Sequence, residues 1–91
     1  MSYTNKQKTS VKDIILSYSE KYIERFSQQD IINKAEKAMN NNETPIKVAD
    51  AVYDYVYENH CGDIVISTAI NQCMPKDVLL IMRQEIIKAL K

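Results

Sequence analysis

The stretch Thr44–Asn59, TPIKVADAVYDYVYEN, constrains the fold of this chain more than any other. It reads as a central helix. Thr44 offers the hydroxyl of an N-cap, and Pro45 suits the first helical position, where an N–H would have had no partner anyway. At about 100° per residue, Val48, Ala49, Val52, Tyr53 and Val56 spread over much more than half of the helix circumference. A helix apolar over that much of its surface is expected to be covered by neighbours on several sides. Lys47, Asp50, Asp54 and Glu58 share the narrow strip that remains, with Ala51 and Tyr55 on one edge and Tyr57 on the other.

The rest of the chain also reads as helical, since 91 residues hold one glycine and two prolines. Val11, Ile14, Ile15, Tyr18, Tyr22 and Phe26 recur at spacings of three and four and predict a first helix over 10–26, with Ser10 and Asp13 as its cap pair. Residues 1–9 lack periodicity and read as a flexible polar tail. A second helix is expected over 28–39, capped by Ser27 and Asp30, with Ile31, Ile32, Ala35, Ala38 and Met39 inward. Asn40–Glu43 reads as a short loop, because asparagine tolerates left-handed geometry. After the central helix, Gly62 is a natural stop. The segment 63–68 has the β-branched content of a strand. Carried on to Cys73, it also places Val65, Ile66, Ala69, Ile70 and Cys73 on one helical face, and helix is the preferred reading. A last helix is expected from Pro75 to Leu90. The fold class is therefore all-α: one compact bundle of four to five helices over 10–91, a strand at 63–68 being the lesser alternative.

Composition narrows function. The formal net charge is zero, so there is no overall basic footprint for nucleic acid or anionic lipid. No apolar run approaches the ~20 residues of a membrane span, and the N-terminus shows no secretory h-region. Two cysteines, Cys61 and Cys73, are too few for a disulfide framework and point to reduced thiols in a cytoplasm. The Asn, Lys and Ile usage suits an AT-rich bacterial or phage genome. His60 beside Cys61 does not make a nucleophile–base pair, because sequence neighbours point apart, and these residues with Cys73 do not match a zinc spacing. There is no Gly-rich phosphate loop. Neither an enzyme nor a cofactor is expected. Asp50, Asp54 and Glu58 could share a cation, but a carboxylate bundle site takes ligands from several helices, so a solvated acidic face is the simpler reading.

Two readings remain. Phe26–Ile32, FSQQDII, followed by a capped helix at Thr44, resembles the start of the second helix in many winged helix-turn-helix domains. That resemblance implies DNA binding through Gln28, Gln29, Lys34 and Lys37. Charge opposes it, because the third helix would bring one lysine and three acids towards phosphate. The leading expectation is a non-enzymatic regulatory or inhibitory protein, of the kind carried by phages or mobile elements. It would bind a basic protein partner through Asp50, Asp54, Glu58, Tyr55 and Tyr57. Leu16 with Ile23, and Leu80 with Ile87, lie seven residues apart and off their helices' main faces. They are candidates for a homodimer contact if they are exposed.

Overall fold

The computed structural model describes residues 2–60 and 74–91. Among them are four helices and no strand: α1 (Asn5–Ser19), α2 (Arg25–Asn40), α3 (Pro45–His60) and α4 (Lys76–Leu90). The fold is all-α. The expected features at Cys61, Gly62, 63–68 and Cys73 lie outside the described residues.

The central helix forms as its sequence requires. Thr44 Oγ1 accepts from the Lys47 N–H at 3.3 Å, and Pro45 takes the first helical position. The loop before it is closed by asparagine. Asn42 adopts φ 59°, a left-handed geometry this residue tolerates better than most. The Glu43 N–H donates to Ala38 O at 3.1 Å and the Asn42 N–H to Met39 O at 3.0 Å, the paired bonds of a Schellman stop.

The first helix differs from expectation at both ends. It starts at Asn5, so most of the segment read as a tail is helical. Thr4 and Gln7 form a reciprocal capping box: the Gln7 N–H donates to Thr4 Oγ1 at 3.1 Å, and the Thr4 N–H to Gln7 Oε1 at 2.9 Å. In front of it, the Tyr3 hydroxyl donates to the Glu43 carbonyl and fixes the chain end against the α2–α3 loop. Helix α1 ends at Ser19, not near Phe26. The buried Ser19 hydroxyl donates to Ile15 O at 2.5 Å, the chain turns, and Ile23 enters the core. Helix α2 therefore begins at Arg25. Ser27, expected as its cap, lies buried in the first turn.

Pairings between helices give their directions. Lys8 donates to Asn40 at 2.9 Å and Gln28 to Ser19 at 2.8 Å, so α1 and α2 run antiparallel. Lys34 lies over the Tyr55 ring, which does the same for α2 and α3. Lys76 lies over Tyr57 while Arg83 bonds Asp50, which orients α4 against α3. The helices close into an up-down-up-down ring in which each packs on its neighbours in sequence, and α4 returns to α1. The two most extensive helix pairs both involve α3.

One core fills the ring: Val11 and Ile15 from α1, Ile31, Ile32 and Met39 from α2, Val48, Val52 and Val56 from α3, and Leu79, Met82 and Ile86 from α4. Burial of each such side chain contributes roughly 1.5–3 kcal/mol relative to exposure. No helix among the described residues is long and apolar enough to cross a membrane.

Candidate interaction surface

Helix α3 buries Val48, Ala49, Val52 and Val56 between α2 and α4 and turns its opposite side outward. Lys47, Asp54 and Glu58 are exposed there, as the helical spacing requires. Asp50 is not free in the same way. Its Oδ1 accepts from Arg83 Nε of α4 at 2.8 Å, and the residue is half-buried. The strip is consequently not the acidic band that α3 alone suggests. Lys47 on α3 and Lys76 and Arg83 on α4 balance its three carboxylates.

The two flanking tyrosines have different surroundings. Tyr55 is half-buried at the α2 side, with Lys34 Nζ 5.3 Å from its ring centre and the His60 ring 5.9 Å away. Tyr57 is 48% exposed at the α4 side. It stacks on Tyr53 with ring centres 5.8 Å apart and the planes at 13°, and Lys76 Nζ lies 5.9 Å from its ring centre. On α4, positions 76, 80 and 83 fall on one strip at about 100° per residue. Since Lys76 and Arg83 both reach α3, Leu80 must lie along the same edge, and it is 44% exposed. Ile46, in the first turn of α3, falls on the Tyr57 side of that helix and is 51% exposed. Ile46, Tyr57 and Leu80 are thus each exposed along the α3–α4 seam, beside Asp54 and Glu58, with Ile46 about 16 Å from Tyr57 along the helix and the Asp50–Arg83 pair between them. Sequence reading missed Ile46 and Arg83. The Ile46 signal was its position on the same face as Tyr57. Arg83 carried none, because its partner is distant in sequence.

Of the four dimer candidates, Ile23 and Ile87 belong to the core and cannot form an exposed stripe. Their seven-residue spacing arises from packing. Leu16 is half-buried against that core and, with Glu20, Arg25 and Gln28, lines an open cleft of about 240 Å³ at the α1–α2 corner. Only Leu80 is exposed.

The candidate DNA contacts also divide. Gln28 is 6% exposed, and its amide donates to Ser19 Oγ at 2.8 Å and Leu16 O at 3.3 Å. It fastens the corner and cannot reach a base. Gln29 is exposed and donates to Asn33 at 3.0 Å. Lys34 and Lys37 are both exposed, Lys34 with its Nζ over the Tyr55 ring.

A second open cleft, of about 300 Å³, lies at the other end, between the chain start, the α2–α3 loop and Leu90. Burial raises the pKa of Tyr3 there, with a further rise from the Glu43 carboxylate. Among the described residues, no three His, Cys, Asp or Glu side chains are grouped to hold a metal ion. No protein-family model matches this chain, and no curated protein or solved structure does either.

Proposed function

We propose that this chain is a non-enzymatic regulatory or inhibitory protein that works in the cytoplasm by binding another protein. The contact face is the outer side of α3 with the adjoining edge of α4. The observation that carries this reading is the exposure of Ile46, Tyr57 and Leu80 along one seam. Large apolar side chains left exposed along one edge supply area that a partner can cover, and tyrosine adds rigid area with a polar tip. Asp54 and Glu58, exposed beside that seam, favour a lysine- or arginine-bearing contact. An accessory role in a phage or mobile element fits a small binding protein of this kind.

No observation favours the DNA-binding alternative. Gln28 is committed to the α1–α2 corner, and Asp54 and Glu58 point outward on the helix that would enter the groove.

The test is affinity capture from the native host with the tagged chain and its Asp54→Lys variant. The variant is expected to lose the captured protein while its circular dichroism spectrum is unchanged. Equal capture by both proteins would remove this face from the account.

A further inference from the structure

The exposed groups on α3 are arranged in a way that identifies an occupant for this face. Lys47 lies in the first turn of α3 and Glu58 in the last. Each has the wrong sign for its own helix, because the backbone dipole favours anions at the N-terminus and cations at the C-terminus. These charges therefore cost the isolated helix stability. Two copies of α3 laid antiparallel reverse that cost. Each Lys47 then meets the C-terminal end and Glu58 of the other copy, and each Glu58 meets an N-terminal end and Lys47.

The apolar residues obey the same register. Ile46 precedes Tyr57 by the same eleven residues that separate Lys47 from Glu58. Eleven residues are about three turns, so each pair lies on one face of the helix. A twofold axis passing α3 at the level of Val52 lies within about half a residue of the midpoint of each pair, so it brings Ile46 beside Tyr57 of the second copy and Lys47 beside Glu58 of the second copy. With the axis perpendicular to the plane of the two helices, the α4-side flank of one α3 meets the α4-side flank of the other. Ile46, Tyr57 and the neighbouring Leu80 from both copies are then covered together. Asp50 would otherwise repel Asp54 of the second copy near the axis, but Arg83 already holds it at 2.8 Å. Lys47 and Glu58 of the two copies then form two opposite-charge pairs related by the axis, as a self-complementary contact needs.

We infer that the partner seated on this face is a second copy of this chain, docked antiparallel along α3 about an axis near Val52. The inference rests on the reading of this seam as a contact surface. It moves the homodimer contact from the terminal helices to the central one. Any other protein using the same face must displace the second copy, so dimer dissociation would regulate its binding.

Sedimentation equilibrium of the purified chain tests this with no foreign protein present. The wild-type chain is expected to dimerise as its concentration rises through the micromolar range. Lys47→Glu alone and Glu58→Lys alone should each weaken association by about tenfold or more, since each turns two attractions into two repulsions. Both variants should melt no lower than the wild-type monomer, because each corrects a charge at a helix end. The double variant, Lys47→Glu with Glu58→Lys, should restore the dimer. A wild-type chain that stays monomeric overturns the inference; the Asp54→Lys capture experiment then decides the broader reading separately. A dimer indifferent to the single reversals, or one the double variant fails to restore, also overturns it.

Discussion

Gln28 shows how one side chain changes meaning once its surroundings are known. In the run SQQD it looks like a surface residue available to read a base. In the fold its amide joins Ser19 of α1 to α2, and Ser19 in turn bonds back to Ile15 O. Removing it deletes two hydrogen bonds of that corner, each contributing roughly 0.5–1.5 kcal/mol net, while Ser19 Oγ keeps its bond to Ile15 O and Leu16 O still accepts from the Glu20 N–H. Gln28→Ala is expected to lose about 1–3 kcal/mol in urea denaturation. Gln29→Ala, one position along, should stay within about 0.5 kcal/mol, because Gln29 is exposed and bonds only Asn33. Asp50 makes the same point for charge. Its proximity to Arg83 is set by two helices meeting, and no spacing within α3 announces it.

At the scale of the element, legibility follows the range of the signal. Helix α3 forms within a residue of where the sequence places it, because its cap, its proline and its apolar positions are local. The start of α1 was equally local but lay in polar residues: Thr4 and Gln7 spell a capping box, while hydrophobic periodicity begins only at Val11. Thr4→Ala is expected to cost about 1 kcal/mol and to speed amide exchange in the first turn of α1, measured by NMR. Where α1 ends is a different matter. Tyr18, Tyr22 and Phe26 continue a helical spacing past the true stop at Ser19. Tyr18 and Tyr22 pack beside the core from either side of the turn, and Phe26 is 69% exposed on α2. At the stop the Tyr22 and Ile23 N–H groups both turn back onto Ser19 O, which carries Ile23 into the core.

At the scale of the whole molecule, the four short helices among the described residues share one core. Met82 and Leu79 from α4 meet the inward faces of the other helices within it. Met82→Ala is expected to cost about 2–5 kcal/mol, a large part of the ~5–15 kcal/mol typical of small domains. Calorimetry should show a lowered transition that still unfolds in one step. The net charge of zero also belongs to this scale. It predicts no overall field, but it conceals the local grouping of Asp50, Asp54 and Glu58 with Lys47, Lys76 and Arg83 near the α3–α4 seam.

Helical class, the boundaries of α3 and the identity of most core residues were determined by the order of amino acids alone, because each depends on contacts within a few turns of one helix. Which seven-residue pairs were buried, which glutamine was spent on a corner and which carboxylate was neutralised depended on helices distant in sequence coming together. Only the tertiary structure decided these, since the energy of a polar or apolar group is set by what surrounds it in space.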